Sequence, residues 1–273
     1  MPGHGPVIMR AVGAAAVLTL SRPERLNAVS EGLYETLLQE IRRLGRDPEI
    51  RAIVITGEGR AFSVGADLKA HGSKASNGTS ESGAEADPTA RRSRYVRLGQ
   101  LANLAIQRCP KPVIAAVNGH AIGGGLELAL SCDFLIAAKD AKLRFPEVGL
   151  GTFVGGGVTY TLPQRVGALR AKELLLLGRF FCGEEAVALG LANEALDAPS
   201  VLHRSLEIAA ELAEKAPISM RHAKRLINRH IHGDTGSAMA READVLLHCM
   251  TTSDWREGID AFAEKRAPQF SGR

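Results

Sequence analysis

Aromatic residues are scarce in this 273-residue chain, at 4%, with one tryptophan and three tyrosines. No basic run is interleaved with aromatic residues, so the stacking platform that single-stranded nucleic acid uses is missing. Cysteine is scarce too. Cys109, Cys132, Cys182 and Cys249 form no CxxC or nearby CxxH pattern, which argues against a metal site or a disulfide framework. Isolated cysteines of this kind serve as small core residues in a reducing compartment. No apolar run approaches the ~20 residues of a membrane span, and the start MPGHGPVIMR lacks a signal-peptide core. A cytoplasmic protein with no membrane partner is expected. Charge of one sign is not in marked excess, since 34 basic residues face 30 acidic ones, and a polyanionic partner is not required.

What the chain does contain is typical of a folded, soluble domain, with 45% hydrophobic and 23% charged residues. Its length allows one large core or a core with a small appendage. Residues 17–20 and 53–56 are short aliphatic runs followed by turn signals, and read as buried strands. Between them Ser30 offers an N-cap, Leu33, Leu37, Ile41 and Leu44 share one helical face, and Gly45 stands where the helix is expected to end. A third run at 113–117 follows an amphipathic stretch from about Tyr95 to Arg108, and 134–137 supplies a fourth. This alternation predicts an α/β core over residues 1–198. Residues 71–93 contain no Val, Ile, Leu, Met or aromatic side chain, and are expected to form a mobile loop. Beyond residue 198 three or four helical patterns predict a C-terminal helical subdomain, 199–273, with Pro217 in the first turn of one helix and Gly233 and Gly236 marking a break.

The glycine-rich stretch AAVNGHAIGGGLELAL fails two nucleotide-binding tests. GxGxxG would need glycine where Leu128 stands after Gly123 and Gly125, and a P-loop would need lysine where Gly125 follows Gly119 and Gly124. The glycines can instead expose backbone amides at a helix N-terminus to an anion, or permit close packing of strand on helix. Spacing alone does not choose. Glu127 lies in the first turn of that helix, where a carboxylate commonly just complements the dipole. Its apolar neighbours Leu126, Leu128, Ala129 and Leu130 also allow burial and acid/base use. A second carboxylate, Glu147, follows Pro146 in a turn after a strand, and the two could converge.

SRPERLNAVS, RAIVITGEGRAFSVGADLK, KPVIAAVNGHAIGGGLELALSCD, FPEVGLGT and GIDAFAEKR, in that order, resemble the signature segments of the crotonase (enoyl-CoA hydratase/isomerase) superfamily. The resemblance covers nearly the whole chain outside residues 71–93. It implies a spiral of ββα units with a C-terminal helical trimerisation region, assembled as a homotrimer or dimer of trimers. It also implies an acyl-CoA thioester substrate, with an oxyanion hole formed by the backbone N–H groups of Ala66 and Gly124. Further implied contacts to CoA are Arg25, Leu26, Ala28, Ala66, Asp67 and Leu68, with Phe262 and Lys265 at the nucleotide end.

Within such a superfamily the reaction is read from the side chains facing the acyl group. Hydration of a 2-enoyl thioester needs a base to activate water at Cβ and an acid to protonate Cα. The resemblance assigns Glu127 mainly to the base and Glu147 to the acid, with no metal or redox cofactor. Other readings are a double-bond isomerase or an acyl-CoA hydrolase using the same hole, and, in a different class, an RNA-binding relative. The chain departs from the hydratase pattern after Glu147, where Val154 replaces a proline and Tyr160 with Thr161 replaces a Gln-Arg pair. That puts the shape of the acyl pocket or its lid in question, along with chain-length preference.

Overall fold

The structure, a computed structural model, describes residues 5–67, 88–232 and 235–269. Aliphatic and β-branched runs form the strands β1 (Val7–Val12), β2 (Ala15–Leu20), β3 (Ala52–Gly57), β4 (Ala61–Ser63), β5 (Val113–Val117), β6 (His120–Ile122), β7 (Phe134–Ala138), β8 (Leu143–Arg144) and β9 (Glu194–Leu196). Among the described residues they make a six-stranded sheet in the order β1-β2-β3-β5-β7-β9 and a three-stranded sheet, β4-β6-β8. From β2 to β9 the large sheet is parallel. β3 and β5 are buried throughout, as strands covered on both faces must be. Successive pairs β3–β4, β5–β6 and β7–β8 each send their first strand to the large sheet and their second to the small one. That repetition is the spiral.

The helices are α1 (Glu31–Arg46), α2 (Pro88–Arg108), α3 (Gly124–Leu130), α4 (Val158–Lys172), α5 (Gly183–Ala188), α6 (Ala198–Ala213), α7 (Pro217–His232), α8 (Thr235–Cys249) and α9 (Ser253–Glu264). Ser30 caps α1 as expected, accepting from the Leu33 amide at 3.3 Å. Gly45 does not end it. The helix runs on to Arg46, and Gly45 instead gives Pro110 room to pack.

The long loop expected at 71–93 is shorter at its C-terminal side. Residues 71–87 lie outside the described residues, whereas 88–93 form the start of α2. These first turns are largely exposed and carry no apolar stripe, so hydrophobic periodicity could not announce them. Ion pairs from Arg94 to Glu31 (3.2 Å) and Glu35 (2.6 Å) join the two helices there.

Helix α6 packs on β3, β5 and β7, so the boundary expected at residue 198 falls just ahead of a helix that covers the sheet. Pro217 opens α7 as expected, and Gly236 sits in the first turn of α8; Gly233 lies outside the described residues. A buried lysine ties α7 to the core. Lys224 Nζ pairs with Asp133 Oδ2 at 2.6 Å and donates to the carbonyls of Ile106 and Lys111, each at 3.0 Å. Removing one partner of such a buried pair typically costs about 3–5 kcal/mol.

Candidate active site

Because β4, β6 and β8 run parallel, the chain leaves all three at the same edge of the small sheet. The segments that follow carry Ala66, Gly123–Glu127 and Glu147. Gly123 bonds across to the end of β8, its amide donating to the Arg144 carbonyl at 2.9 Å. Ala66 is tied by a parallel bridge to Val29, whose amide donates to the Gly65 carbonyl at 2.8 Å. A Cβ on Gly65 would stand 3.0 Å from the Gly124 nitrogen, so the Ala66 and Gly124 segments touch.

Ala66, Gly124, Glu127 and Glu147 border one cavity of about 110 Å³. Of the two uses weighed for the glycines, close packing is seen directly. Gly125 brings α3 against the Ser63 carbonyl, where a Cβ would clash, while Gly123 and Gly124 face the cavity.

The two carboxylates are buried, Glu127 at 5% and Glu147 at 9% exposure. Each faces a glycine. A Cβ on Gly156 would lie 2.3 Å from Glu127 Oε2, and one on Gly123 would lie 2.5 Å from Glu147 Oε1. The Gly155 amide faces both oxygens of Glu127, at 3.4 and 3.3 Å. Glu147 opens a short 3₁₀ turn, and its backbone carbonyl accepts from the amides of Leu150 (3.0 Å) and Thr152 (2.9 Å). Its Oε2 has no hydrogen-bond partner among the described residues. Burial pushes the Glu147 carboxyl up to about 7, against the lowering effects of backbone hydrogen bonding and Arg144. It can therefore hold a proton near neutral pH.

The other expected positions divide. Ala28 is buried, and Leu26 adopts the left-handed conformation (φ 51°) after the turn at Pro23–Arg25. Asp67 pairs with Arg22 Nη2 at 3.2 Å, and Arg22 Nη1 donates to the Ala28 carbonyl at 2.7 Å. Arg22 thus stitches two of the expected segments together, although only Arg25 was expected from the same stretch. Arg25 itself is exposed. Leu68 lies outside the described residues. Phe262 is 57% exposed near the end of α9, and Lys265 caps that helix in the left-handed conformation. Neither borders the cavity, although α9 itself packs on the turn after Glu147.

Sequence reasoning missed Tyr34, Tyr95, Gln100, Thr152 and Trp255, which also border the cavity. The signal was their rarity: two of the three tyrosines and the one tryptophan stand here. Of the departures from the hydratase pattern, Val154 is buried between the cavity-lining Phe153 and Gly155, whereas Tyr160 and Thr161 lie on α4 away from the cavity.

The model of the family described as enoyl-CoA hydratase/isomerase matches residues 10–273. The chain belongs to the enoyl-CoA hydratase/isomerase family. It is 36% identical to the crotonyl-CoA hydratase of Syntrophomonas wolfei over 265 residues, covering 97% of both chains. It is 34% identical to the short-chain-enoyl-CoA hydratase of Clostridium acetobutylicum over 261 residues, covering 95% of both. The solved enoyl-CoA hydratase/isomerase from Pseudoalteromonas atlantica superposes with a TM-score of 0.84 at 32% identity, over 97% of this chain and 100% of that one. As a member of the enoyl-CoA hydratase/isomerase family the chain is an enzyme, and the crotonase-like α/β spiral is its fold. Among the described residues no helix is long and apolar enough to cross a membrane.

Proposed function

We propose that the protein adds water across the double bond of 2-enoyl-CoA thioesters, giving 3-hydroxyacyl-CoA. The observation that carries this reading is the pair of buried carboxylates on one small cavity, one of them able to keep a proton near neutral pH. In the proposed reaction the backbone N–H groups of Ala66 and Gly124 donate to the thioester oxygen, and so stabilise the enolate as it forms. Removing one donor from such a hole typically costs about 10²–10³ in rate. Glu127 takes the proton from water as the water oxygen bonds to Cβ, and Glu147 delivers its proton to Cα. The Gly155 amide facing both Glu127 oxygens favours the negative charge a base must carry. The Oε2 of Glu147, unpaired among the described residues, suits a proton donor.

The CoA chain would pass the segments at Arg25, Leu26, Ala28 and Asp67. Phe262 and Lys265 would meet the nucleotide end in a homotrimer or dimer of trimers, where a neighbouring subunit can bring them to the site. Exposed Leu169, Leu176, Leu177 and Phe180 give the chain an apolar surface that assembly would cover.

A panel of short, medium and branched 2-enoyl-CoAs, followed by loss of enoyl absorbance and run beside a 3-enoyl-CoA, tests the reading. Hydration of at least one 2-enoyl-CoA is expected. Conversion of the 3-enoyl-CoA alone would replace hydratase by isomerase, and release of free CoA would point to a hydrolase.

A further inference from the structure

The cavity lining carries three hydroxyl side chains, where a slot meant for a plain hydrocarbon needs none. Val64, Val96, Leu150 and Phe153 supply apolar walls. Among them stand Tyr34 from α1, Tyr95 from α2 and Thr152 from the turn after Glu147. The two tyrosine rings pack against each other with centroids 5.7 Å apart, tilted by 56°. Tyr34 also closes on the glycine-rich turn, since a Cβ on Gly124 would lie 3.2 Å from its hydroxyl oxygen. Burial pushes both phenols well above their ordinary range, so both are neutral hydrogen-bonding groups at physiological pH.

Thr152 carries the argument furthest. It is 9% exposed, it borders the cavity, and its Oγ1 has no hydrogen-bond partner among the described residues. A buried hydroxyl left unpaired costs about 1–3 kcal/mol. An alkyl chain filling the cavity would keep it unpaired, whereas an oxygen on the acyl group would satisfy it. No lysine, arginine or histidine is among the described residues bordering the cavity, and Glu127 and Glu147 both do. A carboxylate on the acyl group would meet the charge proposed for Glu127 without a counter-ion. Size sets a further limit. A cavity of roughly 150 Å³ admits benzene, so about 110 Å³, shared with the reacting carbons beside Glu127 and Glu147, suits a short acyl group.

We propose that the acyl pocket is adapted to a short acyl group carrying a neutral oxygen, as hydroxyl or carbonyl, beyond its reacting carbons. Thr152 and the Tyr34–Tyr95 pair receive that oxygen. This rests on the hydratase reading above, and names the substrate class of the same site.

The test compares isosteric pairs that differ only in OH against CH₃. These are 4-hydroxy-2-butenoyl-CoA against 2-pentenoyl-CoA, and 5-hydroxy-2-pentenoyl-CoA against 2-hexenoyl-CoA. The readout is the ratio of kcat/KM within each pair. In at least one pair the wild-type enzyme is expected to favour the hydroxylated member by about tenfold or more, because a site built to bond a hydroxyl discriminates against the analogue that lacks it. Thr152→Val, which keeps the shape of the side chain, is expected to bring that ratio down to about threefold or less. Thr152→Ser should preserve it, and Tyr95→Phe should lower it. Equal or greater kcat/KM for the alkyl member in both pairs overturns the proposal, as does a Thr152→Val enzyme that slows both members of the favoured pair by the same factor. If no thioester is hydrated, the hydratase reading fails separately. Calorimetric binding of the saturated pair, 4-hydroxybutanoyl-CoA against pentanoyl-CoA, then decides the pocket's preference, with tighter binding of the hydroxylated member supporting the proposal and its absence overturning it.

Discussion

Glu127 and Glu147 border the same cavity but are supported in different ways. Glu127 belongs to α3, with the Gly155 amide facing both oxygens and Gly156 pressed against one of them. Glu147 belongs to a one-turn element after β8, with one oxygen unpartnered among the described residues and its carboxyl pushed up to about 7 by burial. The proposed reaction gives these identical side chains opposite proton duties, and their surroundings differ in the matching sense. A donor aimed at the oxygens favours the anion, and burial that outweighs the donors, as at Glu147, favours the neutral acid.

The largest test of that contrast is removal of either carboxyl group. Glu127→Gln and Glu147→Gln are each expected to lower crotonyl-CoA hydration by at least ~100-fold with the fold retained, checked by circular dichroism beside the rate. If one variant stays active, the pair does not work as a pair. Next comes pH. With Glu147 the proton donor, its protonated form is the active one, so kcat/KM should fall about tenfold per unit as pH rises above the value near 7. A profile flat from pH 6 to 9 would break the assignment.

The α/β alternation was legible because buried parallel strands write themselves as continuous aliphatic runs, as at 53–56 and 113–117, and because Ser30 caps α1; the spiral came from the resemblance. The strands β4 and β6 were not legible, and β8 was read only as an unbounded strand ahead of the turn at Glu147. Each is two or three residues long, too short for a period, yet they deliver Ala66, Glu127 and Glu147 to one edge. β1 was hidden for another reason. Most of its residues are exposed, so it shows no buried face. Glu127 and Glu147 could be picked out as carboxylates in turns, and the resemblance supplied their roles. Their difference in support depends on Gly155 and Gly156, which lie far along the chain from Glu127 and are brought there only by the fold.

That dependence gives a sharper and smaller test. Gly156→Ala would put a Cβ 2.3 Å from Glu127 Oε2, so Glu127 must shift, and a loss of about tenfold or more in kcat is expected. Gly149→Ala adds a Cβ that meets nothing within 4 Å among the described residues, and should leave kcat within about twofold. Similar losses in both would mean that the Gly156 contact does not set the position of Glu127.

The smallest effect is on stability. The folded-state value of Glu147, about 7, lies above its ordinary 4.5. Its contribution is therefore fully present below about pH 4.5 and is lost as pH rises through 7. Glutamine mimics the protonated acid, so Glu147→Gln should match wild type in Tm near pH 5 and exceed it by several degrees, on the order of 2–4 °C per kcal/mol, at pH 8. A constant difference across that range would mean that burial does not hold the proton on Glu147.

The most direct measurement of the central claim is the mass of the product formed from crotonyl-CoA in deuterated water, with the hydroxyl and CoA left intact for analysis. A hydratase using this pair gives 3-hydroxybutyryl-CoA with one non-exchanging deuteron at Cα. Exchange or movement of the double bond without gain of a hydroxyl, or release of free CoA, would contradict it.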